Sequence, residues 1–267
     1  MSLTVKNKKL AIVRGGGDLG TGVIYRLWRA HFKVLVLEIE RPLVVRINVS
    51  AANAIFCGET EIEGMRIKRI DSPAAFNRKS DDIEIIVSPG VELIEKLRPQ
   101  VLIDAIMAKR NTGTVKDMAP IVIGVGPGFT APEDVHAVVE TKRGHYLGRA
   151  IYNGTAIANT GIPGIIKGYG TERLLRAPAE GYVTPICAIG DTVVKGETIA
   201  HIRDLPVSAQ IDGVLRGLIH PSVFVRSGTK IGDIDPSGEK EHCWTITDKA
   251  LAIGGGVLEA IAYLSGQ

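Results

Sequence analysis

The first strong pattern along the chain is Leu10-Ala11-Ile12-Val13, an apolar run long enough for one buried strand. It stops at Arg14 and Gly15-Gly16-Gly17, after which Val23 to Arg29 reads as a helix. A second apolar run, Val34 to Leu37, ends in Glu38. Further runs at Ile83 to Val87, Val101 to Ile106 and Ile121 to Val125 predict buried strands. Short helices are predicted around Val49 to Phe56, at Ser72-Pro73 and over Val91 to Leu97. Glu61 to Ile70 alternates about a Glu63-Gly64 turn and predicts a hairpin or a short strand. Val135 to Glu140 reads as a strand, with Gly148 to Tyr152 able to pair with it. This beat of strands and short helices predicts an α/β fold, with a Rossmann-like parallel sheet over residues 1–170 that binds a nucleotide or cofactor.

The pattern changes after Asn153 to Gly170, a glycine-rich stretch without periodicity that reads as a connection between domains. From Arg176 to Pro236 the chain repeats itself at a shift of 32 residues. Ala177, Gly181, Val193, Gly196, Ile199 and Ile202 meet Ala209, Gly213, Val225, Gly228, Ile231 and Ile234 without a gap. Each unit is too small to bury its own face, so the two are expected to interlock. The A-P-x-x-G-x-V and G-D-x-V-x-x-G-x-x-I segments resemble biotinyl and lipoyl domains, which implies an all-β barrel-sandwich hybrid over residues 171–240. The lysine that carries the prosthetic group in those domains is missing, because the hairpin here reads Arg203-Asp204-Leu205-Pro206-Val207. Neither biotin nor lipoate is therefore expected. Residues 241–267 close the chain with a helix over Lys249 to Leu264, which Thr247-Asp248 can cap. It holds Gly254-Gly255-Gly256, and glycine costs a helix interior roughly 1 kcal/mol each. Close packing against the first domain is the expected compensation.

Composition narrows the function without naming it. The chain has 267 residues, 45% hydrophobic and 23% charged, with a net charge of +3. Its basic residues are dispersed and form no stripe with aromatics, so no nucleic-acid partner is expected. No apolar run reaches the roughly 20 residues of a membrane span. The N-terminus, MSLTVKNKKL, lacks the apolar segment of a signal peptide. Cys57, Cys187 and Cys243 are three cysteines without C-x-x-C spacing. They fit a reducing cytoplasm better than a disulfide framework or a structural zinc site.

The candidate chemistry gathers at the first strand. Gly15, Gly17 and Gly20 fit G-x-G-x-x-G between a strand and a helix, and Gly16 and Leu19 complete the loop. Such a loop lets backbone approach a phosphate and offers it the positive end of a helix. Glu38 lies 18 residues after Gly20, where a Rossmann unit places its ribose-binding acid. Asp18 sets a negative charge in that loop, against ordinary NAD; Arg14 either offsets it or meets the ligand. Arg41, just past Glu38, is a further candidate contact. Lys109, Arg110 and Asn111 follow a predicted strand at the edge where ligands of open sheets sit. Gly126, Pro127, Gly128 and Phe129 form a defined loop in which Phe129 is placed to stack on or close over a ligand. The plainer alternatives are a glycine-rich turn without ligand and a solvated basic loop. His136, Glu140 and His145 match no standard metal spacing, so no metal is expected. Asp134, His136 and Cys57 are the nearest things to catalytic groups, which favours a cofactor-binding accessory protein over an enzyme.

Five segments together resemble the selenium-dependent molybdenum hydroxylase system protein family (YqeB type). They are VRGGGDLGTG, EIERPLVVR, VGPGFTAPEDVHAVVET, GRAIYNG and DKALAIGGGVLEA. The glycine loop and its strands also resemble the Rossmann portion of XdhC-type accessory proteins. The resemblance implies a cytoplasmic maturation factor for a xanthine dehydrogenase-like molybdenum hydroxylase whose cofactor needs selenium. The implied ligand is a molybdopterin-type cofactor or a nucleotide, NAD-like in its binding. The implied partner is the hydroxylase apoenzyme, with a homo-oligomer left open. Two alternatives stand beside it, an NAD(P)- or nucleotide-dependent enzyme and a non-catalytic interaction scaffold.

Overall fold

The computed structural model describes residues 8–159, 161 and 164–266. Most of the polar N-terminal lead, and with it the signal-peptide question, lies outside them. In chain order the first part forms β1 (Leu10–Arg14), α1 (Asp18–Arg29), β2 (Lys33–Glu38), α2 (Asn53–Cys57), β3 (Glu59–Ile62), β4 (Met65–Arg69), β5 (Ile83–Val87), α3 (Glu92–Leu97), β6 (Val101–Asp104) and β7 (Ile121–Val125). Then come β8 (Thr130–Ala131), β9 (Ala137–Val139), β10 (Ala150–Ile151) and β11 (Gly154–Thr155).

Nine of these strands make one sheet in the order β10-β9-β7-β6-β1-β2-β5-β4-β3. The seven from β9 to β4 run parallel, and an antiparallel strand closes each edge: β10 on β9 and β3 on β4. The expected Rossmann-like parallel sheet is corrected on these features. The sheet is mixed, and only α1, with 12 residues, is a full crossover helix. The other helices before the last, α2 and α3, have 5 and 6 residues. A single 3₁₀ turn, Lys116–Met118, lies between β6 and β7. The cause is legible in β1. Ala11 and Val13 join one core with α1, while Leu10 and Ile12 join the core on the opposite face. A strand apolar on both faces must be covered on both, and short loops with half-buried apolar side chains do much of that covering here.

The second part forms β12 (Leu174–Arg176), β13 (Val183–Pro185), β14 (Thr192–Val193), β15 (Thr198–Ile202), β16 (Leu205–Ser208), β17 (Gly213–Leu218), β18 (Lys230–Asp235) and α4 (Asp248–Ser265). Here too the expectation is corrected: in place of a barrel-sandwich hybrid there are two antiparallel sheets, β12-β18-β17-β14 and β13-β15-β16. The sequence duplication explains their make-up. At a shift of 32 residues β12, β13 and β15 overlay β16, β17 and β18. The sheet β13-β15-β16 takes its β16 from the second unit, and the sheet β12-β18-β17-β14 takes β12 and β14 from the first. The repeated apolar positions, Ala177, Val193, Ile199 and Ile202 with Ala209, Val225, Ile231 and Ile234, face one shared core.

Helix α4 lies against α1 over the large sheet, in one core with Val23, Ile24, Val257 and Ile261. Thr247 caps it, accepting the Ala250 N–H at 3.1 Å. Gly22 of α1 and Gly254 of α4 allow the crossing. A Cβ on either would press on the other helix's backbone, on the Ala250 carbonyl and the Gly22 carbonyl respectively. Among the described residues no helix is long and apolar enough to cross a membrane.

Candidate functional site

The carboxyl ends of β1, β2, β5 and β6 open onto a cleft of about 830 Å³. Its second wall is the four-stranded sheet, through Leu174, Arg176, Arg216, Lys230 and Asp233. The two walls are held in register by direct contacts. Phe56 stacks on His220 at 4.1 Å, Arg41 donates to the Ser222 carbonyl at 3.1 Å, and Arg46 donates to the His242 carbonyl at 2.7 Å.

Charge distinguishes this cleft from the rest of the surface. Nine basic side chains line it, namely Arg14, Arg46, Lys109, Arg143, Arg173, Arg176, Arg216, Lys230 and Lys249, against three acidic ones, Asp18, Glu38 and Asp233. The whole chain carries only +3. Low-dielectric walls focus such a field and favour anions.

The glycine loop forms the floor. Gly15, Gly17, Asp18, Leu19 and Gly20 line it, and α1 begins there without a side-chain cap on Gly17. Its first free N–H groups and the helix dipole are thus available to an anion. Gly16 is committed elsewhere, since its N–H donates to Glu38 Oε1 at 2.8 Å. The other Glu38 oxygen accepts the Ile39 N–H at 2.8 Å. Glu38 is therefore a brace on the loop, in contrast to the ribose ligand expected from its position. Burial pushes its carboxyl above the usual range, more than the two N–H bonds pull it down.

That shift has a pH consequence. A carboxyl raised in the folded state contributes stability that is complete below its unfolded value of 4.5 and is lost as pH rises through the raised folded value. Denaturant unfolding at stepped pH should show Glu38→Gln gaining on the wild type across that window. Parallel curves for the two proteins would refute the assignment. An anion bound at the floor should also weaken over the same window, as Glu38 takes its charge.

Arg14 is not a ligand contact by default. Its guanidinium, 3% exposed, pairs with buried Asp104 at 3.0 Å and donates to Thr114 Oγ1 at 2.5 Å. Asp18 has a different counterion from the one expected, Arg46, at 3.9 Å. Arg46 is held in the wall with its Nε unpartnered among the described residues. Burial, followed by the field of Arg216, lowers its pKa.

The later candidates separate. Lys109 is exposed on the cleft rim, in the left-handed region at φ 63°. Arg110 is exposed and lines neither this cleft nor the smaller hollow beside it. Asn111 is consumed by its own loop, accepting from Gly113 and Thr114 and donating to the Thr114 carbonyl. Pro127, Gly128 and Phe129 line a smaller neighbouring hollow of about 530 Å³ that also reaches Lys109 and Asn159. Gly126 is buried and lines neither hollow. Phe129 itself is 4% exposed and packs in the sheet's core, so it cannot serve as the stacking gate expected of it. Arg41 joins the two parts of the chain rather than lining the cleft. Among the described residues no group of three His, Cys, Asp or Glu could hold a metal ion.

Sequence reasoning missed the far wall entirely. Asp233, 2% exposed, sits among Arg173 Nη1 at 3.1 Å, Arg216 and Lys230 Nζ at 3.8 Å. Arg216 also reaches Asp235 at 3.4 Å, and Asp235 meets His242 Nδ1 at 3.0 Å. The available signal was the duplication. Arg216, Lys230 and Asp233 stand where the first unit has Thr184, Thr198 and His201.

No protein-family model matches the chain. It is 46% identical over 261 residues to the uncharacterized protein YqeB of Escherichia coli (strain K12), a match covering 97% of this chain and 48% of that one. The chain thus spans about half the length of the curated relative it matches. Among solved structures it is similar to an aspartoacylase family protein of Mesorhizobium loti, at 12% identity over 86% of this chain and 85% of that one, TM-score 0.26. A succinylglutamate desuccinylase/aspartoacylase of Rhodobacter sphaeroides gives 11% identity over 85% and 84%, TM-score 0.28. At those scores nothing of their activity is carried to this chain.

These findings correct the identification suggested by the sequence. The matched relative is itself uncharacterized, so the match supplies neither a maturation role nor an XdhC-type function. Maturation of a selenium-dependent molybdenum hydroxylase accordingly has no support and is withdrawn, together with the nucleotide or molybdopterin ligand tied to it. By sequence, the chain is akin to about half of an uncharacterized bacterial protein.

Proposed function

We propose that the cleft binds a small, multiply charged anionic molecule, with one anionic group against the start of α1. The observation that carries this reading is the set of nine basic against three acidic side chains above an uncapped helix N-terminus, an excess that persists when Arg14, Arg143 and Arg216 are set against Asp104, Asp248 and Asp235. Gly17, Leu19 and Gly20 supply backbone to the bound group, and Lys109 supplies charge at the rim. Three free cysteines support a reducing, cytoplasmic setting.

Calorimetric titration with inorganic pyrophosphate tests it. The wild type is expected to bind, and to bind more weakly as salt rises. Lys109→Ala should weaken binding roughly threefold to fivefold, the weight of one exposed charge. Absence of heat with pyrophosphate, and again with citrate, at low ionic strength would overturn the reading.

A further inference from the structure

We propose that the cleft holds two anionic groups of one elongated ligand, the second bound by the Arg173–Asp233–Arg216–Lys230 cluster on the four-stranded sheet. The proposal rests on the cleft being an anion site and specifies the class of ligand: a molecule with an acidic group, phosphate or carboxylate, at each end. The first group lies at the start of α1 and the second across the cleft.

Three independent observations support it. The cluster keeps an excess of one cation, with Arg173, Arg216 and Lys230 against the buried carboxylates Asp233 and Asp235, of which Asp233 lines the same cleft as the glycine loop. A further anion would complete it, and a buried cation without a full set of partners is costly to keep. Next, Arg46 and Arg173, 7% and 5% exposed, both line the cleft and each leaves Nε without a partner among the described residues. Arg46 stands between the two proposed ends, near Asp18 on one side and under the field of Arg216 on the other. Finally, the duplication provides an internal control. The first unit builds the equivalent strands with Thr184, Thr198 and His201, so the architecture does not demand Arg216, Lys230 and Asp233. Charges that the fold can omit, gathered on the wall of a cationic cleft, are best explained by what enters it.

Linking two anionic groups makes the second binding event intramolecular, so the gain depends on matching the span. The test is calorimetry with methylphosphonate and with alkane-α,ω-bisphosphonates of about two to about eight methylene groups, beside acetate and the matching dicarboxylates. At least one member should bind about tenfold or more tightly than its one-ended counterpart. Lys230 is 40% exposed on its side chain and its replacement should leave the fold intact. Lys230→Gln should erase most of the two-ended gain while lowering one-ended binding by no more than the roughly threefold to fivefold weight of one cleft charge, and Lys230→Arg should restore the gain. If the one-ended probes bind and no two-ended one gains, the second site is refuted and the anion-binding reading stands. If no probe of either kind binds, both fall. If Lys230→Gln weakens one-ended and two-ended probes alike, the cluster acts only through the general field and the second site is again refuted.

Discussion

Gly22→Val is expected to leave the protein largely unfolded or sharply destabilised, read as a collapse of the thermal transition. At the α1–α4 crossing a Cβ on Gly22 would strike the Ala250 backbone, and one on Gly254 would strike Gly22. The obstacles are main-chain carbonyls inside two helices, which cannot rotate away as a side chain would. Overpacking a core costs about 1–3 kcal/mol when neighbours can adjust, and more when they cannot. Here the helices would have to part, uncovering Val23, Ile24, Val257 and Ile261. Against a total stability of about 5–15 kcal/mol that is a large loss. Gly255 supplies the contrast within the same triplet, since a Cβ there meets nothing within 4 Å. Gly255→Ala should stabilise by about 0.5–1 kcal/mol through helix propensity alone. Equal transitions for Gly22→Val and the wild type would refute the close crossing.

Asp104→Ala is the second large effect. It leaves the Arg14 guanidinium, 3% exposed, without its counterion at the carboxyl ends of the central strands. Removing one partner of a buried pair costs about 3–5 kcal/mol, because a desolvated charge remains. Thr114 loses its acceptor at the same time, since its hydroxyl donates to Asp104 Oδ2 at 2.6 Å. Replacing both partners, as Arg14→Met with Asp104→Leu, should recover most of that loss. Urea unfolding of these two variants beside the wild type decides the matter. A single-variant cost near zero, or no recovery in the double, would contradict the pairing.

How far the sequence disclosed this molecule depends on the range of the interaction. The runs at Leu10, Val34, Ile83, Val101 and Ile121 all became strands of the large sheet, because hydrophobic periodicity is a local property. What covers them is not local. The short loops between β5, β6 and β7 carried a helical reading no further than one turn or two, and α4 arrives from the far end of the chain. The glycine stretch does turn the chain from β1 into α1, but α1 begins at Asp18 rather than Val23, so Gly20 and Gly22 lie inside the helix. Glu38 turned inward to its own loop amide, and Arg14 to Asp104. Neither partner can be read from spacing, since Asp104 is 90 residues from Arg14. The far wall was invisible for the same reason. Arg173, Arg216, Lys230 and Asp233 are scattered singly among apolar positions and become a cluster only when antiparallel pairing brings β17 beside β18.

The exchange of first strands between the two repeat units constrains how this part of the chain opens. Neither sheet can lose one unit's strands without losing the other's, so no half of the duplication is a separable block. Amide hydrogens from β12 to β18 should therefore exchange with solvent at one common protection level, as a single cooperative foldon. A nick in the β15–β16 hairpin would not release a stable fragment. The wall that carries Arg173, Arg216 and Lys230 is thus present entire or absent, and partial unfolding cannot expose half of it.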